Sequence, residues 1–186
     1  MATVLVFLTM VLFLISTSMS IIDSMHFFQL NSYRFDTHSK WIRENSRKYL
    51  THNIISVLML IAVFIPMKPV VKSVILEVLF IISLPTEKPK KAKKPLVYTP
   101  RVKRMLFTTA LVVLAVLVPT TITGLTSAHE TYALCAMVVI YTLSPYIILL
   151  ANLINKPVEL SINQYYTNDA KKMLRACPDL KIIGIT

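Results

Sequence analysis

Residues 87–104 read EKPKKAKKPLVYTPRVKR and carry eight of the chain's twenty Lys and Arg residues. The stretch divides a very apolar chain into two halves. A cationic run between hydrophobic segments is retained on the cytoplasmic face during insertion, so every other segment takes its side of the membrane from this one. Pro85, Pro89, Pro95 and Pro100 punctuate the run and predict an extended connector over residues 85–104 rather than a helix. Lys90, Lys91, Lys93, Lys94, Arg101, Lys103 and Arg104 are its candidates for contact with anionic lipid headgroups.

Composition agrees with a membrane setting. The chain has 186 residues, 55% of them hydrophobic, only two glycines and a mean hydropathy of +0.63. These values lie outside the range of ordinary soluble domains. The formal charge of +11 raises nucleic acid as a partner, but the basic residues lie between apolar runs and no DNA- or RNA-binding motif accompanies them. The expected partner is a bilayer containing anionic lipids. Cys135 and Cys177 have no CxxC spacing and predict neither a disulfide framework nor a metal site.

Upstream of the basic stretch lie two apolar runs, 49–66 and 70–84, separated by Met67, Lys68 and Pro69. With cytoplasmic segments on both sides, an even number of crossings must lie between them, and a tight hairpin turning at Pro66 and Pro69 satisfies this. Each arm is near or below the usual length of a span. Glu77 falls inside the second arm. An intramembrane carboxylate is by default a functional candidate for proton or ion handling; the plainer reading is an acid that faces neighbouring helices, protonated or paired.

Further upstream, residues 23–53 mix five basic and three acidic residues with Phe27, Phe28, Tyr33, Phe35, Trp41 and Tyr49. An interfacial segment over 23–48 fits this pattern, with rings at headgroup level and basic heads outward. Residues 2–22 have no charge and are long enough to cross a hydrocarbon core of about 30 Å. No Lys or Arg precedes them, which argues against a signal peptide and favours an outside N-terminus.

Downstream, 105–125 and 132–153 are spans of full length, kinked at Pro119 and Pro145, with Thr and Ser hydroxyls near to serve the freed backbone. The turn between them has no Lys or Arg, as expected outside. His129 and Glu130 are adjacent in it and read as solvated. The prediction is an all-α integral membrane protein with about five transmembrane helices, N-terminus out and C-terminus in, over residues 1–154. A four-span arrangement with 49–84 as one broken helix is the alternative.

After Asn152 the chain turns polar. Pro157 suits the first turn of a helix, and Ile162, Tyr166, Ala170, Met173 and Cys177 follow at helical spacing, predicting an amphipathic helix that ends at Pro178. Residues 179–186, DLKIIGIT, then read as a short buried strand.

That helix and the Gly184-Ile185-Thr186 ending resemble the approach to the ATP-binding domain of the Mur ligases, the group that adds D-alanyl-D-alanine in peptidoglycan precursor synthesis above all. The likeness includes Asn163, Tyr165, Tyr166, Asn168, Asp169, Ala170 and Lys171. Residues 29–34 (QLNSYR) and 94–104 (KPLVYTPRVKR) resemble membrane-anchored variants of the group. The resemblance implies that residues 155–186 begin a cytoplasmic α/β domain, that ATP and Mg serve the full-length family, and that other cell-wall synthesis proteins are partners at a bacterial cell membrane. The family's phosphate loop would follow Thr186. No catalytic, cofactor-binding or metal residue is therefore assigned within the chain, and no cofactor is expected on it. HExxH, GxSxG and paired-carboxylate patterns are also missing. Two functions stay open: the anchoring portion of such a ligase, inactive by itself, and a self-standing small membrane protein, either a transporter-like element around Glu77 or an envelope-assembly scaffold.

Overall fold

A computed structural model describes residues 2–44, 46–84, 95–126 and 130–176, and these form six helices with no strand among them. They are α1 (Ala2–Leu30), α2 (Phe35–Glu44), α3 (Ser46–Phe64), α4 (Pro69–Ser83), α5 (Pro100–Thr126) and α6 (Glu130–Arg175). α6 is the hub. It packs along α5 and also touches α1, α3 and α4, while α4 lies between α1 and α3.

Contacts at matching depths fix the relative directions. Phe13 meets Phe80 edge-on at 6.0 Å, Phe80 meets Tyr141 at 5.6 Å, and one to two turns further along Ser144 reaches Ser20 at 2.7 Å. α1, α4 and α6 therefore run the same way. α3 is antiparallel to α4 across a short turn at 65–68, and α5 is antiparallel to α6, since Arg104 pairs with Glu159 while Thr108 pairs with Asn155.

The bundle is apolar outside and mixed inside. Phe7, Ile61, Phe64, Ile82, Phe107 and Leu153 are more than half exposed, whereas Thr9, Ser16, Thr17, Ser24, Ser56, Ser73, Glu77 and Ser144 are buried beside Phe13, Met59, Leu76, Phe80 and Met137. A water-soluble bundle sorts its residues the other way, and large exposed apolar side chains along the helices fit acyl chains. Three helices are long and apolar enough to cross a membrane, over Phe7–Leu30, Pro100–Thr123 and Thr131–Arg175, with a shorter apolar stretch at Leu50–Phe64.

The hairpin expected around Pro66 and Pro69 is present. Pro69 opens α4, where its missing N–H costs nothing, and Lys68 before it is extended at ψ 139°. Lys72 is buried, and its Nζ donates to the Val63 carbonyl at 2.7 Å, satisfying a carbonyl near the end of α3.

Three boundaries differ from the sequence expectation. Residues 23–30 belong to α1 rather than to an interfacial segment, because Ser24, Met25 and Phe28 are buried in the bundle; the amphipathic surface helix is α2 alone. The basic connector ends at Thr99. Pro100 is tolerated in the first turn of α5, and Thr99 Oγ1 accepts the Val102 N–H at 3.3 Å as an N-cap does. Arg101, Lys103 and Arg104 thus sit on a helix. Finally, no new helix begins at Pro157: α6 passes through both Pro145 and Pro157. Proline in a helix interior costs roughly 3 kcal/mol or more, and here side chains on either side of Pro157 tie α6 to α5, Asn155 through Thr108 at 2.8 Å and Glu159 through Arg104 at 2.6 Å. The expected domain boundary at 154/155 consequently falls inside a continuous helix. The strand expected over 179–186, with Cys177, Pro178 and Gly184 to Thr186, lies outside the described residues, as do Lys90, Lys91, Lys93, Lys94 and His129.

Candidate functional site: two carboxylates at opposite depths of the bundle

At the end of the bundle where α1 finishes and α5 begins, three segments converge. The Gln29 side chain donates from Nε2 to the Val97 carbonyl at 2.9 Å and accepts the Val97 N–H on Oε1 at 3.0 Å. Its amide acts as a strand partner and clamps the end of the basic connector to the end of α1. The chain after α1 turns through Ser32 and Tyr33, both with positive φ of 53° and 59°. Neither is glycine, and such backbone is strained for a side chain as large as Tyr33. The turn lays the Tyr33 ring against Phe28 and beneath the guanidinium of Arg101, whose Cζ lies 4.0 Å from the ring centroid.

Arg101 and Arg104, three residues apart on one face of α5, share Glu159. The Arg104 Nη2 to Glu159 Oε1 contact is 2.6 Å and the Arg101 Nε to Oε2 contact 3.8 Å; the Arg104, Arg101 and Glu159 side chains are 35%, 34% and 14% exposed. Arg101 also reaches Asn152 Oδ1 at 3.4 Å. Beyond this latch, Pro100, Arg104, Ser161, Ile162, Tyr165 and Tyr166 line an open groove of about 510 Å³. Of the seven residues expected to contact anionic lipid, only Lys103 is exposed among those described. Arg101 and Arg104, each about a third exposed, have a carboxylate partner inside the protein.

The second carboxylate, Glu77, is buried between α4 and α1 toward the opposite end. Its Oε1 lies 3.1 Å from Thr9 Oγ1, and no ion pair reaches it among the described residues. One turn further along the same interface, the Phe13–Phe80 pair fills the space, and beyond it Ser16 donates to the Phe80 carbonyl at 3.3 Å. On α3, His52 stacks on Tyr141 with ring centroids 4.5 Å apart, and its Nε2 lies 3.4 Å from the Thr142 carbonyl, three residues before Pro145 in α6. A carbonyl only accepts, so Nε2 carries the proton there.

His38 on α2 is fully buried against Phe28, at 5.2 Å and nearly perpendicular, and burial lowers its pKa below the ordinary 6.5. Among the described residues no group of three or more His, Cys, Asp and Glu side chains is arranged to hold a metal ion, and Cys135 is free and half-buried. Neither the reading of Glu77 nor that of the basic run pointed to Glu159, Gln29 or His38. Gln29 lay in the quoted QLNSYR block, whereas Glu159, the one acid between Glu130 and Asp169, has its arginine partners more than fifty residues upstream.

No family model, curated protein or solved structure matches the chain. The 29–34 block meets the 94–104 block through Gln29–Val97 and Tyr33–Arg101, and Tyr165 and Tyr166 line the groove beside Arg104.

Proposed function

We propose that this chain is the membrane-anchoring portion of a Mur-ligase-like, ATP-dependent enzyme of peptidoglycan precursor synthesis, crossing a bacterial membrane five times with its N-terminus out and its C-terminus in. The observation that carries the reading is the convergence just described: the 29–34 and 94–104 blocks, which resemble anchored ligases, meet at the end of the bundle where α6 carries the residues that resemble the approach to the ATP-binding domain. The alternating helix directions support the five-span count. They group the N-terminus of α1 with the 65–68 turn, and the end of α4 and the start of α5, which flank the Lys-rich stretch in sequence, with the exit of α6. Retention of positive charge makes the second end cytoplasmic, the compartment of ATP and nucleotide-linked precursors. α4 has 15 residues, about 22 Å of helix, so it crosses only where lipid thins or its ends snorkel. In this reading the anchor holds an ATP-binding module near the lipid carrier and supplies no catalytic residue, and the cofactors ATP and Mg belong to that module.

Two experiments test this. Single cysteines at Ser39 and Ser127 are probed with a membrane-impermeant maleimide; labelling from outside at Ser127 only is expected, and outside labelling at Ser39 removes the five-span arrangement. DNA following the Thr186 codon is read in every frame for a G-x-G-K-[ST] continuation, and its absence removes the main support for a ligase. One observation favours the second reading, a self-standing small membrane protein: Glu77 is buried without an ion-pair partner among the described residues. Glu77→Gln abolishes the phenotype of such a protein, whereas an anchor barely responds.

A further inference from the structure

The groove between the start of α5 and the exit of α6 has one strongly charged wall. Glu159 engages the Arg104 guanidinium at Nη2 only, at 2.6 Å, and Nε is buried with no hydrogen-bond acceptor among the described residues. A guanidinium has five N–H donors in a fixed fork, so the latch holds Arg104 in place without using it up. Arg101, Lys103 and Arg104 outnumber Glu159 at this end of the bundle, and Asp169, the next acid along α6, sits beyond the groove among Lys171, Lys172 and Arg175. A guanidinium with donors to spare in cationic surroundings suits an anion with several acceptor oxygens, as a phosphate has.

The other walls are apolar and aromatic. Pro100, Ile162, Tyr165 and Tyr166 supply them, Ser161 completes the lining, and the volume of about 510 Å³ falls in the usual range for small-ligand sites. The Ser161 hydroxyl gives its proton to the Pro157 carbonyl at 3.0 Å, so Arg104 and the two tyrosine hydroxyls are the side-chain donors left to face a ligand. The depth is that of lipid headgroups. The apolar length of α5 begins at Pro100, while Tyr165 and Tyr166 just past it are 68% and 65% exposed, as tyrosines at a membrane interface are. On the bilayer side, Ile154 and Val158 precede Ser161 and Tyr165 at helical spacing and stay nearly half exposed, so an apolar strip of α6 runs from the groove toward the acyl chains. A soluble phosphate has no use for such a strip; an amphiphile does.

We propose that this groove holds a single anionic phospholipid, its phosphate on Arg104 and one acyl chain along Val158 and Ile154. Cationic pockets between membrane helices bind acidic headgroups in this way. The site goes beyond anchoring; it rests on the bundle spanning a membrane, which the cysteine labelling tests independently, and not on the ligase reading.

The test uses the full chain in detergent, titrated with phosphatidylglycerol and with phosphatidylcholine of the same chain length and read by native mass spectrometry. One phosphatidylglycerol per chain is expected to stay bound at activation energies that strip phosphatidylcholine. Arg104→Gln lowers the phosphatidylglycerol affinity about tenfold, the worth of one charge-assisted contact. Ser161→Trp, which fills the groove from an exposed position without touching the latch, lowers it as much. Arg101→Gln takes the same charge from the latch but lines no part of the groove, and leaves the affinity near the parent value. An excess of glycerol 3-phosphate, which carries the phosphate without the chains, does not displace the lipid. Equal retention of the two lipids overturns the proposal, as does a Ser161→Trp chain that binds normally. Equal losses in Arg101→Gln and Arg104→Gln overturn it too, because local charge rather than the groove would then hold the lipid. Displacement by glycerol 3-phosphate gives the groove to a soluble phosphate and removes the lipid. A chain that labels as five-span yet retains no phosphatidylglycerol overturns this proposal alone.

Discussion

Glu159 and Glu77 are both drawn into the protein, and their neighbours could hardly differ more. Glu159 is met by two guanidinium groups at the end of the bundle, where all three side chains keep some contact with solvent. Glu77 is met by one hydroxyl in the interior of an apolar body. A carboxylate near the interface can be held ionised by paired cations, because water and headgroups share the cost of desolvation. Similar burial therefore produces a mechanical latch in one place and a single hydroxyl contact in the other.

Neutral, isosteric substitutions break that comparison most sharply. Glu159→Gln leaves two partly buried arginines without their counter-ion. Breaking a fully buried pair costs 3–5 kcal/mol, and with the arginines about a third exposed a loss of roughly 2 kcal/mol is expected. Glu77→Gln keeps an acid-like hydrogen-bonding group opposite Thr9 and is expected to cost under about 0.5 kcal/mol. Thermal unfolding of both variants in one detergent provides the check. Equal losses would mean that Glu77 is tied into the bundle as firmly as Glu159, erasing the distinction.

The next effect tests what the latch holds in place. Gln29→Ala removes both hydrogen bonds to Val97, which are solvent-accessible, and should cost locally about 1 kcal/mol. Hydrogen exchange at the Val97 amide should speed up about fivefold, while protection across the Phe13–Phe80 interface stays unchanged. Loss of protection in both regions would show that the two ends of the bundle unfold as one unit.

How much of this was legible in the sequence follows from the range of each signal. Apolar runs and prolines are local, so the hairpin at Pro66 and Pro69 and the helices around Pro119 and Pro145 could be read directly. Helix ends could not, because they depend on what covers them. Residues 23–30 look interfacial through Asp23 and His26, yet Met25 and Phe28 bury against other helices and carry α1 on. Pro157 looks like a beginning until Asn155 and Glu159, on its two sides, are seen bound to α5. Glu77 was legible because an acid in an apolar run stands out. Glu159 was not, since its partners lie more than fifty residues upstream and the charges of Arg101 and Arg104 had already been assigned to lipid.

A smaller effect separates the basic end from the interior by pH. His38 is neutral when buried against Phe28, with its pKa lowered by burial. When α2 lifts away, the imidazole returns to its ordinary value near 6.5 and binds protons more readily. The docked state thus binds fewer protons than the undocked one, and the stability of docking rises with pH. It is complete above about 6.5 and is lost as pH falls from there toward the lowered value. Hydrogen exchange of α2 amides, corrected for intrinsic rates, should accelerate below that pH in the native chain and lose this dependence in His38→Phe. α4 amides around Glu77 should show no matching change.

The smallest effect lies in the turn that supports the Arg101 stack. Ser32 and Tyr33 both occupy the left-handed region, which glycine adopts without cost. Ser32 is exposed, so Ser32→Gly relieves strain and removes no side-chain contact; the gain is partly offset by a freer unfolded chain, leaving about 0.5 kcal/mol of stabilisation. Tyr33→Gly relieves the same strain but removes a ring packed perpendicular to Phe28 at 5.6 Å and seated under Arg101, and the balance turns to destabilisation. Opposite signs at adjacent residues, measured by thermal unfolding, identify the turn as a device for positioning Tyr33. If both variants stabilise, the ring contributes nothing to the latch, and Glu159 and Asn152 hold the arginines.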